Sequence, residues 1–268
     1  MAKLENLQGK VVWITGASSG IGKALAEECA AQGAQIVLTA RRLEELEKVR
    51  AGLVKPDQHI SVVADITDES QVRTAYEQVL SEKGRIDWLI NNAGLSQRAL
   101  IQETTMQTER AIMEVDYFSQ VFFTKTVLPT FLKQKSGRIA FISSVAGLLG
   151  TQYRASYSAA KGAIHMWANS LRAEMADHGI QVSVIFPGFI KTNVSFNALN
   201  GEGKPQAKQD EAIENGLEPA DFARQTVEAL KRGEEYIVVG GSKEKLGVLV
   251  SRLSPKVLYK MIRKTKVK

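Results

Sequence analysis

The chain is poor in the residues that staple or metallate small proteins. Cys29 is the only cysteine in 268 residues, so no intramolecular disulfide forms. Its place in an apolar helical pattern marks it as a small core residue. His59, His165 and His178 stand far apart without cysteine partners, so no metal is expected. No uninterrupted apolar run approaches the ~20 residues needed to cross a bilayer. Residues 2–10 are polar and soon enter an apolar segment, with nothing like a signal peptide, so the expected location is the cytoplasm. There is no internal repeat and no sign of a second domain. What the chain does have is length, enough for one large α/β domain with an ample core.

Short apolar runs fall near 10–15, 35–39, 60–64, 86–90, 137–143, 181–186 and 235–239, with helical patterns between them. Runs such as 138–142 show little alternation, as strands buried on both faces do. This predicts a single doubly wound (Rossmann) domain, a seven-stranded parallel sheet with helices on both faces. Residues 1–240 form that domain, and 241–268 form an extension.

The first run leads into Thr15-Gly16-Ala17-Ser18-Ser19-Gly20-Ile21-Gly22 and then a helix to about Gln32. Strand, glycine-rich turn and helix N-terminus make an anion site suited to a pyrophosphate, lined by Gly16, Ser18, Ser19, Gly20, Ile21 and Gly22. The second run ends in Arg41-Arg42, with no acid before Glu44. An acid there would bind a ribose 2′-hydroxyl, whereas a guanidinium matches a 2′-phosphate, which selects NADP(H) over NAD(H). The other reading of these arginines is the solvated start of a charged helix, 43–53.

Tyr157 and Lys161 stand one helical turn apart and share a face, with Ser144 thirteen positions upstream. A phenol near an ammonium is easier to deprotonate, which brings it towards acid–base work near neutrality. A serine at an adjacent strand end can hydrogen-bond the oxygen whose proton the tyrosine handles. Ser143 competes with Ser144 for that role.

The Thr15–Gly22 turn, Asn91-Asn92-Ala93-Gly94, Ser144, Tyr157-x-x-x-Lys161 and Pro187-Gly188 together resemble the short-chain dehydrogenase/reductase family, in its order and at its spacings. The resemblance spans about residues 7–240. It implies that Asp65 and Ile66 sit at the adenine, and that Asn92, Ala93 and Gly94 close the fourth strand on the cofactor. Pro187, Gly188, Ile190 and Thr192 would cradle the nicotinamide carboxamide. Lys161 would hold the cofactor ribose while Tyr157 exchanges the proton and Ser144 binds the substrate oxygen. The family usually carries asparagine on its long fourth helix, beside a helix irregularity that supports a proton relay; the aligned residue here is Asp116. Aspartate keeps the acceptors but loses the amide donors and can add a charge next to Lys161. Among family branches the chain looks most like the 11β-hydroxysteroid-dehydrogenase-like and 3-ketodihydrosphingosine-reductase-like reductases. The resemblance also implies a homodimer or homotetramer built on the long fourth and fifth helices.

Two regions bear on substrate and partners. Residues 193–218, polar and glycine-containing, occupy the place of the family's substrate lid. Leu95, Leu149, Tyr153, Phe189 and Val194 offer an apolar wall, pointing to a small hydrophobic ketone, aldehyde or secondary alcohol, steroid-, retinoid- or lipid-like. Alternatives are a 3-oxoacyl-thioester reductase, or a non-catalytic NADP(H)-sensing regulator or scaffold. The extension carries nine Lys or Arg against one Glu, interleaved with apolar residues and split by Pro255 into two helical segments. It reads either as a basic amphipathic element peripheral to a membrane or as a docking element on a subunit or the site's rim. No nucleic-acid recognition motif accompanies the charge.

Overall fold

The computed structural model describes residues 4–264. All seven expected strands form, at β1 Val11–Thr15, β2 Gln35–Ala40, β3 Ile60–Val63, β4 Trp88–Asn91, β5 Gly137–Ile142, β6 Ile180–Pro187 and β7 Tyr236–Val239. They make one parallel sheet in the order β3-β2-β1-β4-β5-β6-β7. The order reverses between β1 and β4, which opens a crevice beyond the C-terminal strand ends where doubly wound proteins bind ligands.

Period-two side-chain direction divides the strands between two cores. Val12, Ile14, Ile36 and Leu38 face helices α1 (Gly20–Ala31), α2 (Leu43–Gly52) and α9 (Pro219–Lys231), where Leu25, Leu46 and Phe222 pack. Val11, Trp13, Val37 and Leu89 face α3 (Glu69–Lys83), α5 (Ser119–Gln134) and α7 (Ala155–Met175), where Val72, Phe123 and Ile164 pack. Cys29 is fully buried in the first core, and that burial drives its thiol pKa far up, leaving an inert thiol. Trp13 can be wholly buried because its ring packs in the second core and its polar atom has a partner. Its ring meets Phe123 edge-on at 4.8 Å and its Nε1 donates to Thr39 Oγ1 at 2.8 Å.

Three features aim at the crevice. Helix α4 (Met106–Met113) continues into α5 through a π-turn over Glu114–Phe118, the irregularity expected around Asp116. The short helix α6 (Ala146–Leu149) follows β5 and packs on α7. Residues 193–218 run over the surface, with only α8 (Glu211–Glu214) as regular structure. After β7 the extension forms α10 (Ser242–Leu253) and α11 (Pro255–Lys264), divided at Pro255 as expected; residues 265–268 lie outside the described residues. Val248 of α10 joins the second core, and α10 packs on α6.

Candidate active site

The glycine turn is held open by backbone geometry and by the end of β4. Gly16 and Gly20 have φ of +64° and +55°, in the left-handed region that side chains disfavour. A Cβ on Gly22 would overlap the Gly16 carbonyl, so α1 seats directly against the turn. Asn92 Nδ2 donates to the carbonyls of Thr15 (2.9 Å) and Gly16 (3.2 Å), and Thr15 Oγ1 accepts the N–H groups of Asn92 and Ala93 (3.0 and 3.1 Å). Ser19 occupies the N-cap of α1 without capping it, which leaves its hydroxyl and the first-turn N–H groups for an anion. Thr192 lies across the turn, where a Cβ on Gly20 would come 3.3 Å from its methyl. The Pro187–Thr192 segment and the glycine turn therefore face each other across the crevice.

Arg41 and Arg42 are exposed at the end of β2, with Arg42 at the N-cap of α2. Neither guanidinium has an ion pair or hydrogen bond among the described residues. Asp65 Oδ1 accepts the N–H and hydroxyl of Thr67 (3.0 and 2.7 Å), fixing the turn after β3, while Asp68 caps α3. Ile66 packs against the second core beside it.

Lys161 is buried on the second turn of α7, which is affordable because its Nζ donates to the Ile142 carbonyl (3.0 Å) and pairs with Asp116. Its Nζ also lies 5.8 Å from the centre of the Tyr157 ring. The two serines divide their work. Ser143 Oγ donates to the Lys161 carbonyl at 2.8 Å, which locks β5 to α7. Ser144 Oγ accepts the Ala146 N–H at 3.1 Å, so its own proton remains to be given away. Lys161 and Tyr157 thus share the start of α7, and Lys161 reaches the end of β5, which Ser143 and Ser144 follow.

Asp116 is completely buried. Its Oδ1 accepts the Leu95 N–H at 2.7 Å, and its Oδ2 lies 3.7 Å from Lys161 Nζ with no hydrogen-bond partner among the described residues. At that length the contact is an ion pair and not a hydrogen bond. Burial outweighs the attraction of Lys161 and raises the carboxyl pKa to about 6. Gly94 leaves room here, since a Cβ would sit 2.9 Å from Asp116 Oδ1 and 3.0 Å from Lys161 Nζ and would push on both.

The apolar wall is uneven. Leu95, Leu149, Tyr153 and Phe189 are half-buried, whereas Val194 is exposed, as is Phe196 nearby in the chain. Leu149 packs on the second core and on Gly247 of α10. Tyr153 holds φ +65°, a strained conformation for a tyrosine, with its carbonyl accepting the Ala99 N–H at 3.0 Å.

One buried cluster had no signal in the sequence. Asp210 Oδ2 receives Arg98 Nε at 2.7 Å and Nη2 at 2.6 Å, and Arg154 Nη2 at 3.4 Å. Asp210 belongs to the 193–218 segment, Arg98 follows the Asn92-Ala93-Gly94 turn, and Arg154 is the N-cap of α7. Bridges Gln97↔Leu199 and Ala99↔Arg154 join the same three segments through their backbones. Separations of 56 and 112 residues hide this pairing from any local reading.

A cavity of about 320 Å³ opens at the opposite, N-terminal end of the strands, beside Lys10, Asp87 and Arg138. Its cations already have carboxylate partners, Lys10 with Asp87 and Arg138 with Glu5, so it is no rival for the crevice.

Residues 10–202 match the short chain dehydrogenase family. The chain belongs to the short-chain dehydrogenase/reductase family. A Drosophila melanogaster relative, "Dehydrogenase/reductase SDR family protein 7-like", is 39% identical over 267 residues, covering 98% of this chain and 82% of the relative. "Dehydrogenase/reductase SDR family member 7B" of Xenopus laevis is 35% identical, covering 96% and 81%. Among solved structures, a short-chain dehydrogenase from Streptomyces avermitilis superposes with a TM-score of 0.82 at 31% identity, covering 96% of this chain and 99% of the other. A family member from Burkholderia phymatum, solved in complex with NAD, superposes equally well at 24% identity, covering 98% and 99%, which speaks to the fold alone. The family is one of oxidoreductases that use a nicotinamide cofactor, and the uncapped helix α1, the open glycine turn and the unshared donors of Lys161 suit such a group.

Proposed function

We propose that this protein is an NADP(H)-dependent reductase or dehydrogenase acting on a hydrophobic ketone, aldehyde or secondary alcohol. The observation that carries the reading is buried Lys161, which anchors on the Ile142 carbonyl at the end of β5 and lies under the Tyr157 ring. Ser144 stands two residues along the chain from Ile142, and an uncapped glycine turn lies across the crevice. The bound nicotinamide would supply or accept the hydride at the carbonyl carbon.

This chain's residues do the rest. Gly16 through Gly22 and the first turn of α1 take the pyrophosphate, and Arg41, seconded by Arg42, takes the 2′-phosphate. Asp65 and Ile66 border the adenine, Asn92, Ala93 and Gly94 border the ribose, and Pro187, Gly188, Ile190 and Thr192 border the nicotinamide. In reduction Tyr157 gives its hydroxyl proton to the carbonyl oxygen as negative charge develops there. Ser144 donates a second hydrogen bond to that oxygen. Lys161 holds its ammonium between the Ile142 carbonyl and Asp116, with donors left for the ribose hydroxyls and for charge on the phenol. Leu95, Tyr153 and Phe189 give the substrate an apolar wall, and residues 193–218 cover it. Exposed Met106, Phe118 and Leu132 on the α4–α5 helix and Met166 on α7 offer apolar surface for a homodimer or homotetramer.

The sensor alternative keeps the fold without the chemistry. We prefer the enzyme because Ser144, Tyr157 and Lys161 are all present in the sequence. The test is oxidation of NADPH and NADH against a panel of hydrophobic ketones, aldehydes and 3-oxoacyl thioesters. NADPH oxidation on hydrophobic carbonyls that disappears in Tyr157→Phe supports the reading. Tight NADPH binding without turnover on any compound, in either direction, refutes it.

A further inference from the structure

The last two helices carry almost all of the chain's excess charge. Residues 241–268 hold nine Lys or Arg and one Glu, while the remainder has 26 basic and 28 acidic residues. Helix α10 is fastened to the body through buried Val248, and α11, with Leu258 buried, packs on α10. On α10, Leu246, Leu249 and Leu253 recur at helical spacing and face away from Val248; they are 54, 53 and 75% exposed. Val257, Tyr259 and Met261 of α11 are exposed as well. Lys243 borders one edge of the leucine stripe, and Lys245 and Arg252 border the other; Arg252 also stacks on Tyr236 at 4.2 Å. Lys256, Lys260 and Arg263 are exposed on α11. The single acid, Glu244, is turned inward against Gly188, Gly240 and Gly241. Singly exposed apolar residues are ordinary on a protein surface, but a stripe of three leucines framed by cations is not.

We propose that α10 and α11 form a docking surface for an anionic lipid membrane, the leucine stripe entering the headgroup region and the flanking cations meeting lipid charge. No helix among the described residues is long and apolar enough to cross a membrane, so the contact lies along the surface. Charge selects this occupant over the others. A second copy docking through the same face would bring two strongly basic surfaces together, and the rest of the chain has no matching acidic excess. A nucleic acid would meet the cations but leave the leucines in water. An anionic lipid surface satisfies both halves of the pattern. The contact also lies close to the substrate side, because α10 packs on α6 through Gly247 and Leu149.

The experiment is co-sedimentation of the full chain with vesicles of phosphatidylcholine, with and without phosphatidylserine, and is independent of turnover. Partitioning should require phosphatidylserine and weaken as salt is raised. Lys256→Gln/Lys260→Gln should lower it by roughly 25-fold, at about fivefold for each basic side chain. Leu249→Ser/Leu253→Ser should lower it by about tenfold or more. Both pairs are surface-exposed, and unchanged melting temperatures show that the fold is intact. Equal binding to both vesicle types, or none, overturns the proposal. A particle mass that halves in the leucine variant, with no vesicle binding by the wild type, assigns the face to a second copy and overturns it too.

Discussion

Replacing Asp116 by Asn should make the protein more stable, and increasingly so as pH rises from about 4 to above 6. The carboxyl is fully buried, with Oδ2 unpartnered and Lys161 3.7 Å away, and its pKa rises from 3.8 to about 6. Two pKa units correspond to about 3 kcal/mol between the protonation states. The sign follows from linkage. Below pH 3.8 the group is protonated in both folded and unfolded chains and imposes no penalty. As pH rises, the unfolded chain releases its proton first, and stability falls until the folded carboxyl ionises near 6, then levels off. An amide cannot ionise, so Asp116→Asn escapes this loss. Urea unfolding of both proteins at several pH values between 4 and 8 measures the difference, in which titrating groups that do not touch Asp116 cancel. The stability gap should widen by up to about 3 kcal/mol across that window. A gap that stays constant with pH would refute the reasoning. The same titration next to Lys161 should give the wild-type rate an inflection near pH 6 that Asp116→Asn lacks.

Further consequences follow from other sites. Arg41→Glu should weaken NADPH binding by roughly 10–100-fold, the worth of a charge-assisted hydrogen bond, while sparing NADH; titration of both cofactors measures it. Asp210→Asn should leave Arg98 and Arg154 facing each other in the interior, at about 3–5 kcal/mol. Calorimetry should then record a melting point lower by roughly 10 °C, and an unchanged one would show that the cluster is not holding the 193–218 segment. Gly94→Ala should depress turnover while leaving adenine-side affinity intact, because its methyl would press on Asp116 and Lys161. Steady-state rates with cofactor binding measured separately would separate the two effects.

The sheet was legible because its strands are buried on both faces and read as short apolar runs, so the seven segments could be counted before any pairing was known. The places of the glycine turn, Tyr157 and Lys161 in the fold were legible because each motif is local: strand into turn, or one turn of helix. The hydrogen bonds of Ser143 and Ser144, one to the Lys161 carbonyl and one from the Ala146 N–H, were not legible, because they depend on how β5 meets α7. The state of Asp116 was not legible. Identity and charge were visible, but the depth that lifts its pKa belongs to the packing of the π-turn against Gly94 and Leu95. The Arg98–Asp210–Arg154 cluster was invisible for a related reason, since three distant segments meet only in the folded chain.

The central claim is that Tyr157-assisted hydride transfer occurs between NADPH and a carbonyl carbon, and isotope transfer tests it most directly. Wild type and Tyr157→Phe would be incubated with NADPH deuterated at the transferring position and the hydrophobic carbonyl panel, and products analysed by mass spectrometry. Alcohols carrying one deuterium at the former carbonyl carbon, formed by wild type and lowered by about 10²–10⁴-fold in the variant, are the predicted result. Bound NADPH with no deuterated product, or equal transfer by both proteins, would contradict the account.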